Sequence, residues 1–148
     1  MRLALCIVVL LATAGPALAQ PRDPPTFWAS GAGRSAACFQ MADGRVRVPA
    51  DNHVRVADYS MVGETLQLEN LRDEGWQSWH PDLYGTPRQR AAREREAARM
   101  ERALDEAWYL LRGLPKVEKR DASRLVLRSR DGRRASFVAV RVCRALEG

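Results

Sequence analysis

Polar and apolar residues alternate with a period of two through successive short stretches, which is the pattern of strands with one face buried. Ala36 to Met41 reads as a strand, Asp43 and Gly44 supply a turn with positive φ, and Arg45 to Val48 alternates again before Pro49. His53 to Met61 places Val54 and Val56 on one face and Arg55 on the other, Gly63 and Glu64 turn the chain, and Thr65 to Leu71 repeats the signal with Leu66 and Leu68. Short turns between alternating segments predict an antiparallel meander.

The period then changes. Asp73 to Gly85 carries Trp76, Trp79, Leu83 and Tyr84 among Gly75, Ser78, His80, Pro81 and Asp82, a mixture with no strand or helix period that reads as a structured loop. A helix follows, with Thr86 as N-cap, Pro87 in the first helical position and Gln89 completing a capping box. Ala97, Met100, Leu104, Ala107, Trp108 and Leu111 recur at spacings of three and four, giving one apolar stripe expected to face the core. Arg102 and Glu106 are placed to pair on the wet face, and Gly113 with Pro115 stops the helix. A short strand around Lys116 to Lys119, a second from Arg124 to Arg130, an Asp131-Gly132 turn and a last strand from Arg134 to Arg144 complete the pattern. On that last strand Val138, Val140 and Val142 share a side, and Cys143 lies near its end. If it runs beside the Cys38 strand, the sheet curls toward a closed or partly open barrel. The fold class is therefore α+β: a curled antiparallel sheet or partly open small barrel with one long packed helix.

The first residues have a separate logic. Arg2, the apolar run Leu3 to Ala12 and the small-residue site Ala17, Leu18, Ala19 before Gln20 form a signal-peptide pattern, placing residues 1–19 outside the mature domain. Residues 20–34, with Pro21, Pro24, Pro25, Gly31 and Gly33, read as an arm in which Phe27 and Trp28 dock on the core or form a short first strand, and 35–148 reads as the single domain. The expected location is the periplasm or the exterior. Export removes Cys6 and leaves Cys38 and Cys143, an even count that predicts one disulfide. Two isolated cysteines without a histidine pair do not form a zinc site, and no metal or other cofactor is expected.

Of 148 residues, 24 are basic and 18 acidic, a net charge of +6. That surplus favours anionic partners, and the arginine-rich first helical turns (Arg88, Arg90, Arg93, Arg95, Arg99) are a solvated face able to touch an anionic envelope surface. Nucleic acid is not an expected partner: there is no recognised motif and no aromatic interleaving on a basic strand. Nor does the chain carry GxSxG, HExxH, a Walker loop or GxGxxG. Ser78, His80 and Asp82 have the letters of a hydrolase triad at a spacing that does not align them, and His53 sits in a turn after Asp51 and Asn52. Trp76, Trp79 and Tyr84 are the candidate ligand-binding residues, since large rings with one polar group suit an apolar, peptide or glycan ligand, although the same rings can simply cap a barrel end.

The order of motifs resembles the META domain family of HslJ-like envelope proteins. The similar parts are Asp43-Gly44-Arg45-Val46, Asn52, Tyr59 followed by Gly63-Glu64-Thr65-Leu66, Glu101 to Leu111 with Leu114, Leu125-Val126-Leu127, Asp131-Gly132 and Phe137. The family's Gly-Cys-Asn signature reads Ala50-Asp51-Asn52 here, and its Thr-Arg-Met-x-Cys segment is replaced by the aromatic insert and extended helix. The resemblance implies a small exported α+β domain without established catalysis, and related cracked-barrel pilotins that hold an acyl chain or peptide helix extend the analogy to binding. The sequence thus points to a non-catalytic, stress-associated or envelope binding protein of unknown oligomeric state. The alternatives are an inhibitor of an extracellular enzyme and a small hydrolase using His80.

Overall fold

The computed structural model describes residues 26–30, 37–75 and 85–146. Eight antiparallel strands follow one another around a ring: β1 (Phe27–Ser30), β2 (Cys38–Ala42), β3 (Arg45–Pro49), β4 (Val54–Val62), β5 (Thr65–Glu74), β6 (Lys116–Arg120), β7 (Arg124–Arg128) and β8 (Arg134–Val140), with β1 pairing back onto β8. Between β5 and β6 comes a single helix, α1 (Pro87–Arg112). The α+β class expected from the pattern is the one observed. β1 lies within residues 20–34, where Phe27 and Trp28 are expected to dock on the core or form a short first strand, and it pairs with β2 and β8.

The turn chemistry works as its residues dictate. Asp43 and Gly44 both take positive φ, 52° and 72°, as the tight β2–β3 hairpin requires. Alternation then sorts side chains to two faces. Trp28, Phe39, Met41, Val46, Val48, Leu66, Leu125, Leu127 and Phe137 gather inside the ring, where Phe39 meets Phe137 edge-to-face with centroids 5.0 Å apart.

The ring is not a regular barrel. β5 joins β6 through one residue pair, Thr65 with Lys116, flanked by Leu66 N–H to Pro115 O (2.9 Å) and Val117 N–H to Glu64 O (2.7 Å). Past this seam β5 runs on without a strand partner from β6, and α1 packs against β5 and β3. Leu104, Ala107, Trp108 and Leu111 join the ring's own apolar cluster, with Met100 half-buried beside them. Asp105 Oδ1 accepts from Arg55 of β4 at 2.6 Å, which fixes the helix against the sheet. The expected stripe thus becomes core from Met100 onward, while Ala97 stays outside that cluster. Thr86 and Gln89 form the reciprocal capping box, at 3.2 Å and 2.9 Å. The expected Arg102–Glu106 pair is not made, because Arg102 Nε donates instead to Ala98 O at 3.2 Å.

The last strand departs from expectation in an informative way. β8 ends at Val140, and the inward residues are Ala135, Phe137 and Ala139. Val138 and Val140 lie on the opposite face, and Val142, past the strand end, is 53% exposed rather than part of their buried side. Nor does β8 neighbour β2: β1 lies between them, with Ala29 opposite both Cys38 and Val138. The chain leaves the ladder after Val140 and enters a short 3₁₀ turn (Arg144–Leu146). Cys143 bonds to Cys38 with Cα atoms 5.7 Å apart. Ala29, Cys38, Cys143 and Ala145 form a second buried cluster outside the ring. A small residue at position 29 leaves room for the bridge above β1.

Between β6 and β7, Asp121 accepts from the backbone N–H of Ser123 (2.9 Å) and of Arg124 (2.8 Å). These bonds and the Lys119 ammonium hold its pKa well below the ordinary 3.8. A carboxylate depressed in the folded state adds stability in full above its unfolded pKa and loses it as pH falls through the folded value. Wild type and Asp121→Ala should therefore differ in urea midpoint near neutral pH and converge as pH falls toward about 2. A gap that persists undiminished in acid would contradict the assignment.

Candidate functional site

Trp76, Trp79, Tyr84, Ser78, His80 and Asp82 all lie outside the described residues, as does the proposed signal peptide. His53 is described. It closes the β3–β4 connection, bonded to Asn52 Oδ1 at 2.7 Å and 3.4 Å from Asp73 Oδ1, which is a turn role as expected. Among the described residues no group of three His, Cys, Asp or Glu side chains converges on a point that would suit a metal ion. The disulfide pair Cys38 and Cys143 is structural.

A groove of about 850 Å³ lies elsewhere, between the C-terminal end of α1 and the β7–β8 turn. One wall is made by the helix end. Leu104, Ala107, Trp108 and Leu111 turn inward, so Tyr109 is rotated off the stripe and stands 70% exposed at the rim. Leu110, half-buried, belongs to the floor, and Arg112 closes the last turn. Gly113 caps the helix by donating to Tyr109 O and Leu110 O, both at 3.1 Å. The left-handed residue is not this glycine but Leu114, at φ 57°. A leucine in that region costs roughly 1–2 kcal/mol, a strain held at the groove wall.

The opposite wall is a turn stiffened by its own carboxylate. Asp131 accepts from Ser129 Oγ in a short bond, from Arg133 N–H at 3.3 Å and from Arg133 Nε at 2.7 Å, and Ser129 N–H closes onto Arg133 O at 2.8 Å. The Ser129 hydroxyl, the Arg133 amide and the Arg133 charge keep the Asp131 pKa below the usual value. Behind the turn, the register shift between Val117 and Lys119 accompanies a Glu118 carboxylate that is only 16% exposed. It grips Arg128 in a short contact and Arg134 at 2.6 Å, clamping β6, β7 and β8 together.

Bonding therefore separates the groove's arginines into two kinds. Arg133 is paired with Asp131, and Arg134 shares the Glu118 carboxylate with Arg128. Arg112 and Arg130, one from each wall, reach no carboxylate partner among the described residues. A smaller hollow continues the groove to the ring's seam, lined by Thr65, Leu114, Lys116 and Arg128 to Arg130. Chemically the arrangement offers two guanidinium forks, an exposed phenol ring and an apolar floor of Leu110, Leu114 and Ala135 on a rigid support.

No protein-family model, curated protein or solved structure matches this chain. The site is accordingly read from its own atoms. Sequence reasoning missed Tyr109, Arg112, Leu114 and Arg130. A detectable signal was Tyr109, an aromatic residue one step off a helical stripe whose neighbouring members, Leu104, Ala107, Trp108 and Leu111, are buried.

Proposed function

We propose that this protein is a non-catalytic, exported binding domain of the envelope or stress-associated kind. The observation that carries the reading is the groove: two arginines without acidic partners among the described residues and an exposed tyrosine beside half-buried apolar side chains, all on elements fixed by a capped helix and a hydrogen-bonded turn. Recognition places polar groups at the rim of an apolar hollow in this manner. The disulfide supports export, because such bridges persist in oxidising compartments. A ring-shaped antiparallel sheet with one helix is also what the resemblance to META domains implies, which supports the reading at the level of fold. Trp76, Trp79 and Tyr84 remain proposed as a second recognition element.

A ligand screen by saturation-transfer NMR with short peptides, oligosaccharides and fatty acids tests this reading. At least one class should bind saturably, and Tyr109→Ala should weaken it by about tenfold while leaving the thermal midpoint nearly unchanged, since exposed sites away from the core contribute little stability. Turnover of a substrate that disappears in His80→Ala would replace it with the hydrolase alternative.

A further inference from the structure

We infer that the groove between α1 and the β7–β8 turn takes an acidic peptide segment in which carboxylates alternate with apolar side chains. The inference rests on the binding reading above and adds the class of ligand.

Charge gives the first argument. The lining holds four arginines against two carboxylates, Glu106 and Asp131, and Asp131 is already bonded to Arg133 while Arg134 is held by Glu118. What remains among the described residues is Arg112 on the helix wall and Arg130 on the turn wall, with Glu106 as the one lining carboxylate that makes no ion pair there. Guanidinium forks match carboxylates in shape as well as charge, each donating to both oxygens. Two such forks lining one hollow, one from the helix and one from the turn, suit a ligand with more than one discrete anionic group.

The order of the layers decides between partners. Leu110, Leu114 and Ala135 are half-buried in the lining, whereas its charged residues, Arg112 and Arg130 among them, are exposed, so the apolar surface lies deeper than the charge. A bilayer presents headgroups first and needs apolar side chains that protrude past the basic ones, so it cannot reach this floor. A nucleic-acid backbone needs an unbroken basic track, which Glu106 and Asp131 interrupt. A peptide can lower an apolar side chain between two carboxylates that stay at the rim, and Tyr109, 70% exposed, offers a ring against which the segment lies. The strained Leu114 is part of that half-buried lining, consistent with a surface shaped for contact rather than for stability alone.

The test is fluorescence anisotropy of the full mature chain with a fluorescein-labelled hexapeptide of alternating glutamate and leucine. Comparators are a glutamine-leucine peptide, a glutamate-serine peptide and phosphatidylglycerol vesicles. The expected result is saturable binding that weakens as salt rises, falls by about tenfold or more in Arg112→Gln with Arg130→Gln, and stays within about twofold of wild type in Arg88→Gln with Arg90→Gln at the far end of the helix. Circular dichroism confirms that both variants fold. The inference is overturned if the glutamate-leucine peptide does not saturate, if both double variants lose affinity equally, or if vesicles bind while the peptide does not. Binding of the glutamine-leucine peptide or a sugar with loss in Tyr109→Ala, but no binding of the acidic peptide, would remove this inference and leave the binding reading standing.

Discussion

Breaking the Cys38–Cys143 bridge should lower the unfolding free energy by about 4 to 5 kcal/mol. The linked residues are 105 apart in sequence, and a cross-link closing a loop of that order removes a correspondingly large share of unfolded-state freedom. Part of the effect comes from the folded side, because the bridge holds the segment after β8 over Ala29 and so keeps the outer cluster with Val138, Val140 and Leu146 buried. Urea unfolding with and without reductant measures both contributions. The midpoint should fall on reduction and the slope should rise, since a reduced unfolded chain expands and exposes more surface. Two free thiols in the unreduced, denatured protein, or an unchanged midpoint, would remove the bridge from the account. Cys38→Ala with Cys143→Ala should reproduce the reduced protein.

Truncating the helix stripe should come next in size. Leu104→Ala and Leu111→Ala each empty a fully enclosed site inside the ring and should cost about 2 to 5 kcal/mol, and Trp108→Ala about 3 to 5. Tyr109→Ala, one residue away on the same helix, should change stability by only about 0.5 kcal/mol, because its ring is already in solvent. That contrast between neighbours is the sharpest test of the helix orientation. Comparable losses at positions 108 and 109 would mean that α1 is rotated, and with it the groove wall.

Where structure follows from near neighbours, the chain was legible. The Asp-Gly hairpin, the capping box at Thr86 and the meander from β2 to β5 each depend on residues within a few positions of one another, and each forms where the pattern places it. What escaped depends on distant partners. Nothing local tells Val142 that the chain must leave the ladder after Val140 so that Cys143 can reach Cys38 across β1. Likewise, four arginines of the groove look alike in sequence. Only the position of Glu118 on β6, within reach of Arg128 on β7 and Arg134 on β8, and the Asp131 turn show that two of them are bound while Arg112 and Arg130 meet no carboxylate among the described residues.

A ring joined by one residue pair at one of its eight junctions behaves mechanically as a slit tube. Slit tubes resist bending nearly as well as closed ones but yield readily to torsion, because shear along the cut meets only the few bonds that cross it. Here those bonds gather around Thr65 and Lys116, and α1 splints the tube by packing its apolar stripe into the ring's core. The smaller hollow has Thr65 on one lip and Lys116 and Arg128 on the other. A ligand extending from the main groove into it would grip both lips, so occupancy at a surface groove becomes torsional stiffness of the entire sheet.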